Sequence, residues 1–352
     1  MKTPASFPLA VTFALLGCAT GPALAQTLDN PNRFTAAARV GLNLKAKFTT
    51  TTPALPPQTE VGPPTGHGVN RNYDDGYVRV DDSGNAGDLT WNWGYREAAQ
   101  VPGNDTLLMH SSSAPAASLN STAKDDPQAG FEFAWLRDLS RSERGALGFK
   151  VAFNYTDLDF RSSNPLSAPS QRLTDTYALG GIIPPGDPGQ PGWQYAGADD
   201  LPGPLIDDAP ASRTVDTIPG GATTTGQRSL TGNLFAWKVG PWLEVPFGQR
   251  VSLLTGVGIA FGRVNTTLQY QGTTTGAGLG SVTQSYSADD HGWVFGGYIE
   301  SFLNVQLAPK WNLFAGVEYQ PLTKYYQQVG ANQASLNPTQ GLYLQAGLGF
   351  KF

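Results

Sequence analysis

Gln340-Gly-Leu-Tyr-Leu-Gln-Ala-Gly-Leu-Gly-Phe-Lys-Phe352 decides how the rest of the chain is read. Taken every second residue, Leu342, Leu344, Ala346, Leu348, Phe350 and Phe352 make one wholly apolar row. Tyr343, Gln345, Gly347, Gly349 and Lys351 make the other, small or polar throughout. Successive side chains of a strand point to opposite faces, so this stretch is a strand with one apolar and one wetted surface. An aromatic residue ends it.

A period-two pattern that runs into a terminal Phe resembles the C-terminal assembly signal of bacterial outer-membrane β-barrel proteins, carried here by Tyr343, Leu348, Phe350 and Phe352. The resemblance is specific to this segment and extends to the rest of the chain only in pattern. It implies a barrel of the small OmpA/OmpW-type class, inserted with the help of the barrel-assembly machinery.

Composition agrees. Charged residues make up 14% of the chain, well below the roughly 25% usual in soluble domains. Mean hydropathy is nevertheless −0.25, far from that of a helical membrane protein. Alternating lipid-facing and lumen-facing residues produce that combination. The 42 Gly and 27 Pro indicate many turns and long irregular connections.

The N-terminus reads as an export signal. Lys2 is a minimal basic region, residues 8–16 are apolar, and Ala23-Leu24-Ala25 is a small-x-small cleavage site. Residues 1–25 are then a removed leader and 26–352 a single barrel domain. Leu15-Leu16-Gly17-Cys18 is a competing lipobox that would make Cys18 a lipidated first residue. Cleavage after Ala25 removes the only cysteine, which excludes disulfides and thiolate chemistry. No later run of 18 apolar residues appears, so spanning helices are not expected.

Eight strands are expected, at residues 33–48, 130–136, 146–157, 228–245, 251–261, 292–307, 311–321 and 340–352. The expected fold is all-β: a closed antiparallel transmembrane up-and-down β-barrel of eight strands. The alternative is ten, if residues 88–113 add a pair rather than a hairpin folded over the barrel mouth. Connections alternate between long (about 49–128, 161–226 and 271–290) and short (138–144, 246–250, 308–310), with a last one of middling length. Long extracellular loops and tight periplasmic turns have that rhythm, and a soluble sandwich has no reason for it. The density of Pro and Gly in 161–226 argues against any regular element there.

The inward row carries the charges: Arg39, Lys45, Lys47, Lys150, Lys238 and Lys351 against Glu132, Glu244, Glu300 and Glu318. An eight-stranded barrel is only wide enough for side chains to fill, and buried charges must pair. Glu300 and Glu318, on neighbouring strands, should therefore meet Lys or Arg from across the lumen. A salt-bridged plug is one reading of the row and a narrow charged pore the other.

Other chemistry is thin. His67, His110 and His291 join no Ser/His/Asp arrangement of credible spacing, so no catalytic residue, cofactor or metal site is assigned. Six Asp-Asp pairs fall in the loops or at outer strand ends. They are either solvated acid or oxygen ligands for a loop cation that bridges lipopolysaccharide. Without the leader, 22 basic against 28 acidic residues disfavour nucleic acid as a partner. The expected role is a monomeric structural or surface-interaction protein of the bacterial outer membrane, in contact with lipid and lipopolysaccharide. A channel for small solutes is the alternative, and a rim-active enzyme the third reading.

Overall fold

The computed structural model describes residues 31–103, 105–123, 126–181, 195–196 and 205–352. The expected leader with its cleavage site, and Cys18, lie outside the described residues.

Eight antiparallel strands close into a ring: β1 (Asn32–Leu42), β2 (Gln128–Ser142), β3 (Gly145–Ser162), β4 (Ser212–Pro246), β5 (Val251–Gly276), β6 (Gly280–Ala308), β7 (Trp311–Tyr319) and β8 (Leu342–Lys351). Each pairs with its sequence neighbours, and β1 closes on β8 through Arg33↔Lys351 to Leu42↔Leu342. Closure leaves the ring without an edge, so the backbone polar groups of the ring are satisfied internally, as hydrocarbon requires. Residues 88–113 contribute no strand to the ring. Trp93–Tyr95 pairs instead with Gly76–Val78, and Thr106–Ser113 pairs with Leu166–Ala178.

The outward row is apolar and uncovered. Phe34, Ile259 and Phe295 are 56%, 62% and 57% exposed, with Leu243, Leu303, Leu313 and Leu344 beside them in the same band. An exposed apolar band on this scale is not a soluble surface. Aromatic residues bound it. Phe131, Tyr155, Phe235, Phe153, Trp237, Phe261 and Trp293 form a chain of ring contacts at 5.2–6.3 Å across β2 to β6. Trp311, Phe350, Phe352 and Phe34 form another at the opposite end. Ten residues separate Trp237 from Phe247. At about 3.3 Å per residue and a tilt of about 40°, that is an apolar height of about 25 Å, the thickness of an outer-membrane barrel's belt.

The strands run further than expected. The segment 271–290, expected as a loop, is the top of the β5–β6 hairpin, paired up to Gly276↔Gly280. Its outward row turns from Ile259 and Phe261 to Asn265, Thr267, Gln269 and Gln271. Polarity there marks water outside the belt, not the end of the strand. Thr is a good strand former, and Thr224 and Thr274 hydrogen-bond each other in the buried row at 2.8 Å. Residues 161–226 are likewise not without regular structure. Leu166–Ala178 pairs with residues 212–224 of β4, so β4 changes partner as it leaves the barrel. The Pro- and Gly-rich centre of that segment lies mostly outside the described residues.

A small sheet sits in the outer mouth. Tyr325–Val329, Asn332–Asn337, Lys45–Thr51 and Ser118–Thr122 pair in that order. Its Leu44, Ala46, Phe48, Ala334 and Leu336 pack with Leu230, Leu234, Val264, Leu268 and Val294 of the barrel wall. This corrects the expected strand 33–48. Asn43 takes φ 59, a left-handed conformation Asn tolerates. The alternation slips by one residue, so Leu44, Ala46 and Phe48 turn inward and Lys45 and Lys47 face solvent.

Candidate functional site: the lumen charge cluster

Strand parity places inward Arg39 on β1, Glu132 on β2, Lys150 on β3, Lys238 on β4, Glu300 on β6 and Glu318 on β7. Register brings them to one level, with Glu300 opposite Glu318 and Arg39 opposite Gln345. β5 contributes no charge but makes room. A Cβ on Gly256 would stand 2.9 Å from Glu300 Oε1, and one on Gly258 2.7 Å from the Tyr298 ring.

Three cations meet three carboxylates. Lys238 Nζ lies 2.5 Å from Glu318, 2.6 Å from Glu132 and 3.2 Å from Glu300. Lys150 Nζ donates to Glu132 and Glu300 at 2.8 Å each. Arg39 approaches Glu318 at 3.5 Å, donates to Gln320 at 3.1 Å and stacks over Tyr343 at 3.7 Å. Gln345 donates to Glu318 at 2.5 Å. The side chains of all six charged residues are 0–4% exposed. Glu132, Glu300 and Glu318 offer oxygens within 4.8 Å of one another, a spacing that could hold a metal ion. Two ammonium groups occupy that position instead.

Apolar layers enclose the cluster. Tyr343, Tyr298, Ala236 and Val294 lie on the outer side. Leu136, Leu254, Phe302 and Phe314 lie on the inner side, around a void of about 20 Å³. Below them is a second charged layer, in which Arg33 donates to Glu244 at 2.6 Å. Thus Glu244 and Lys351, expected in one row with the rest, belong to the inner mouth, while Lys45 and Lys47 leave the lumen altogether. Arg33, Gln320 and Gln345 were not singled out from the sequence. Counting back by twos from Arg39 would have found Arg33. Nothing in the chain distinguishes the two glutamines from other inward polar residues.

A second constellation lies among the outer loops. Asp208 is fully buried and accepts from His67 Nδ1, Gly68 N and Asn85 Nδ2, each at 2.6 Å. Its carbonyl accepts from Arg71 at 2.6 Å. The hydrogen bond to Asp208 raises the His67 pKa above its ordinary value; desolvation opposes this, and the charges of Asp88, Asp208 and Asp207 add to it. His67, Asp207 and Asp208 also place ligand atoms within 4.8 Å, but both Asp208 oxygens already have donors. Another acidic pair serves the backbone and a second histidine: Asp75 accepts from His110 N at 2.8 Å and meets its Nδ1 at 2.5 Å, and Asp74 accepts from Ser112 N at 2.7 Å.

The sequence matches no known family model and no curated protein. Among solved structures, the chain aligns with Ail, the attachment invasion locus protein of Yersinia pestis, at 8% identity and TM-score 0.25, over 91% of this chain and 98% of that one. It aligns with the outer membrane protease OmpT of Escherichia coli at 8% identity and TM-score 0.28, over 93% and 99%. The translocator domain of the autotransporter NalP from Neisseria meningitidis aligns at 11% identity and TM-score 0.21, over 92% and 90%. Scores this low carry no argument about activity. The ring, the belt and the filled interior themselves define the class: a transmembrane β-barrel of the outer-membrane type.

Proposed function

We propose that this protein is a closed outer-membrane barrel whose role is structural and surface-interactive, exercised by the folded outer loops rather than by transport. One observation carries the reading: the lumen is crossed by a balanced cluster of six buried charges, packed between two apolar layers. A permeation path needs water at that level. Instead, every carboxylate there is held by a Lys or Arg, and separating one pair costs several kcal/mol. The connections 49–128 and 161–226 hold 17 of the 28 acidic residues, and their described parts form the outer face. They would reach lipopolysaccharide or an external partner, and the chain would act as a monomer.

Planar-bilayer recording of the purified protein tests this. No steady current is expected. An ohmic conductance that Glu300→Ala changes supports the channel reading and overturns this one. The rim-enzyme reading has two His–Asp couples in its favour, His67–Asp208 and His110–Asp75. The other ion-pair partners of His67 are the carboxylates Asp207 and Asp88.

A further inference from the structure

The inner mouth of the barrel holds a pocket of about 250 Å³ that the lumen cluster does not use. Arg141, Arg250, Lys310 and Lys351 line it, with Arg33 at its floor. Two carboxylates, Glu143 and Glu244, also line it. Glu244 is already taken, by Arg33 at 2.6 Å and by the Ser252 hydroxyl at 2.5 Å. Arg141 pairs with Asp138. Among the described residues no carboxylate lies within 4 Å of Arg250, Lys310 or Lys351. The mouth therefore carries uncompensated positive charge, while the outer loops are acidic.

Two of these cations are firmly rooted. Arg250 sits on the β4–β5 turn, where its carbonyl accepts from Gln306 N at 2.7 Å. Lys310 sits on the β6–β7 turn, and its carbonyl accepts from Lys351 N at 2.8 Å. Short turns bonded into neighbouring strands preorganise a site and lower the entropy lost on binding. Asn304, Asn312 and Ser252 add neutral polar groups inside.

We infer that this pocket binds the carboxylates of an acidic peptide presented from the periplasm. The cations come from four separate elements around the mouth, a spread that suits several carboxylates along a chain better than one phosphate. Arg33 and Lys351 stand on the inner row of the ring strands, away from the headgroups of the surrounding bilayer, while Lys310 also reaches the outward Phe350 ring at 6.0 Å. The volume lies below the roughly 300–1,000 Å³ of drug-sized sites, so a short acidic segment or chain end fits. The periplasmic direction rests on the orientation proposed above, but the binding itself does not, because purified protein tests it.

Binding to detergent-solubilised protein would be measured by calorimetry with triglutamate, triglutamine and inorganic phosphate. Triglutamate should bind, and more weakly as salt rises from about 50 to 500 mM. Arg250→Gln with Lys310→Gln should weaken it about tenfold or more, the loss of charge-assisted hydrogen bonds. Both side chains are exposed on turns, so the variant should fold; unchanged heat-dependent gel migration confirms it. Equal binding of triglutamine, absence of binding, or binding indifferent to the double substitution overturns the inference. Phosphate binding without triglutamate binding also overturns it, in favour of a phosphate site. None of these results depends on whether the lumen conducts.

Discussion

Lys238 on β4 and Glu318 on β7 meet across the barrel at 2.5 Å, both fully buried. The pair joins opposite walls of the ring, so it fixes the cross-section of the barrel and not merely one hairpin. Lys238→Ala leaves Glu132, Glu300 and Glu318 facing only Lys150 and Arg39. Loss of one partner of a buried pair costs about 3–5 kcal/mol. Lys238→Met with Glu318→Leu removes one charge of each sign and restores the balance. Urea unfolding in detergent should show the single variant destabilised by that amount and the double variant recovering most of it. Additive losses would mean the two residues are not coupled.

The gap left on β5 is as specific as the charges. A Cβ on Gly256 would meet Glu300 Oε1 at 2.9 Å and its Cγ at 3.1 Å. Gly256→Val should force Glu300 out of the cluster and destabilise by about 1–3 kcal/mol, the usual cost of overpacking. The β-branched residue suits a strand, so backbone propensity would push the other way. A stability equal to or above that of the parent protein would show that Glu300 has room to move.

Among the outer loops, the contact between His67 and Asp208 should depend on pH. The folded-state pKa of His67 is raised, chiefly by its hydrogen bond to Asp208. A raised folded value means the contact contributes fully below the ordinary His pKa of about 6.5 and is lost as pH rises through the folded value. Hydrogen exchange at Gly68 N, which donates to Asp208 at 2.6 Å, should therefore be slower relative to its intrinsic rate at about pH 5.5 than at about pH 9. His67→Gln should abolish that difference. A pH dependence that survives the substitution would assign it to another group.

How much of this was legible beforehand follows from what alternation records. Parity and turn spacing located all eight barrel strands, and the inward row supplied the six members of the central cluster. Pairing of Glu300 and Glu318 with cations from across the lumen follows from the size of the barrel alone. Alternation does not record where lipid gives way to water. Gln271, Thr273 and Thr275 read as loop because their outward faces are polar, although the strand continues through them. Nor does it record a single residue that shifts phase, which is why Lys45 and Lys47 were placed in the lumen. The inner-mouth pocket was hidden for another reason: its cations come from turns far apart in sequence.

That phase shift at Asn43 gives the sharpest test of the outer mouth. Leu44 is 1% exposed and Lys45 faces solvent, although both precede the long connection and both lay in the same expected strand. The only cysteine is Cys18, so single cysteines introduced at these positions can be read without background once the leader is absent. Lys45→Cys and Lys47→Cys should react quickly with a membrane-impermeant maleimide on intact cells, and Leu44→Cys should not. An unbroken strand predicts slow labelling at all three positions, with Lys45 and Lys47 shielded in the lumen and Leu44 in lipid. The cause can be tested separately. Asn43→Gly keeps access to φ 59 and should preserve the labelling pattern, whereas Asn43→Val should cost about 1–2 kcal/mol, since a β-branched residue is strained in that conformation. Faster labelling at Leu44→Cys in the Val variant would show that the small sheet depends on that one left-handed residue to keep its apolar face turned inward.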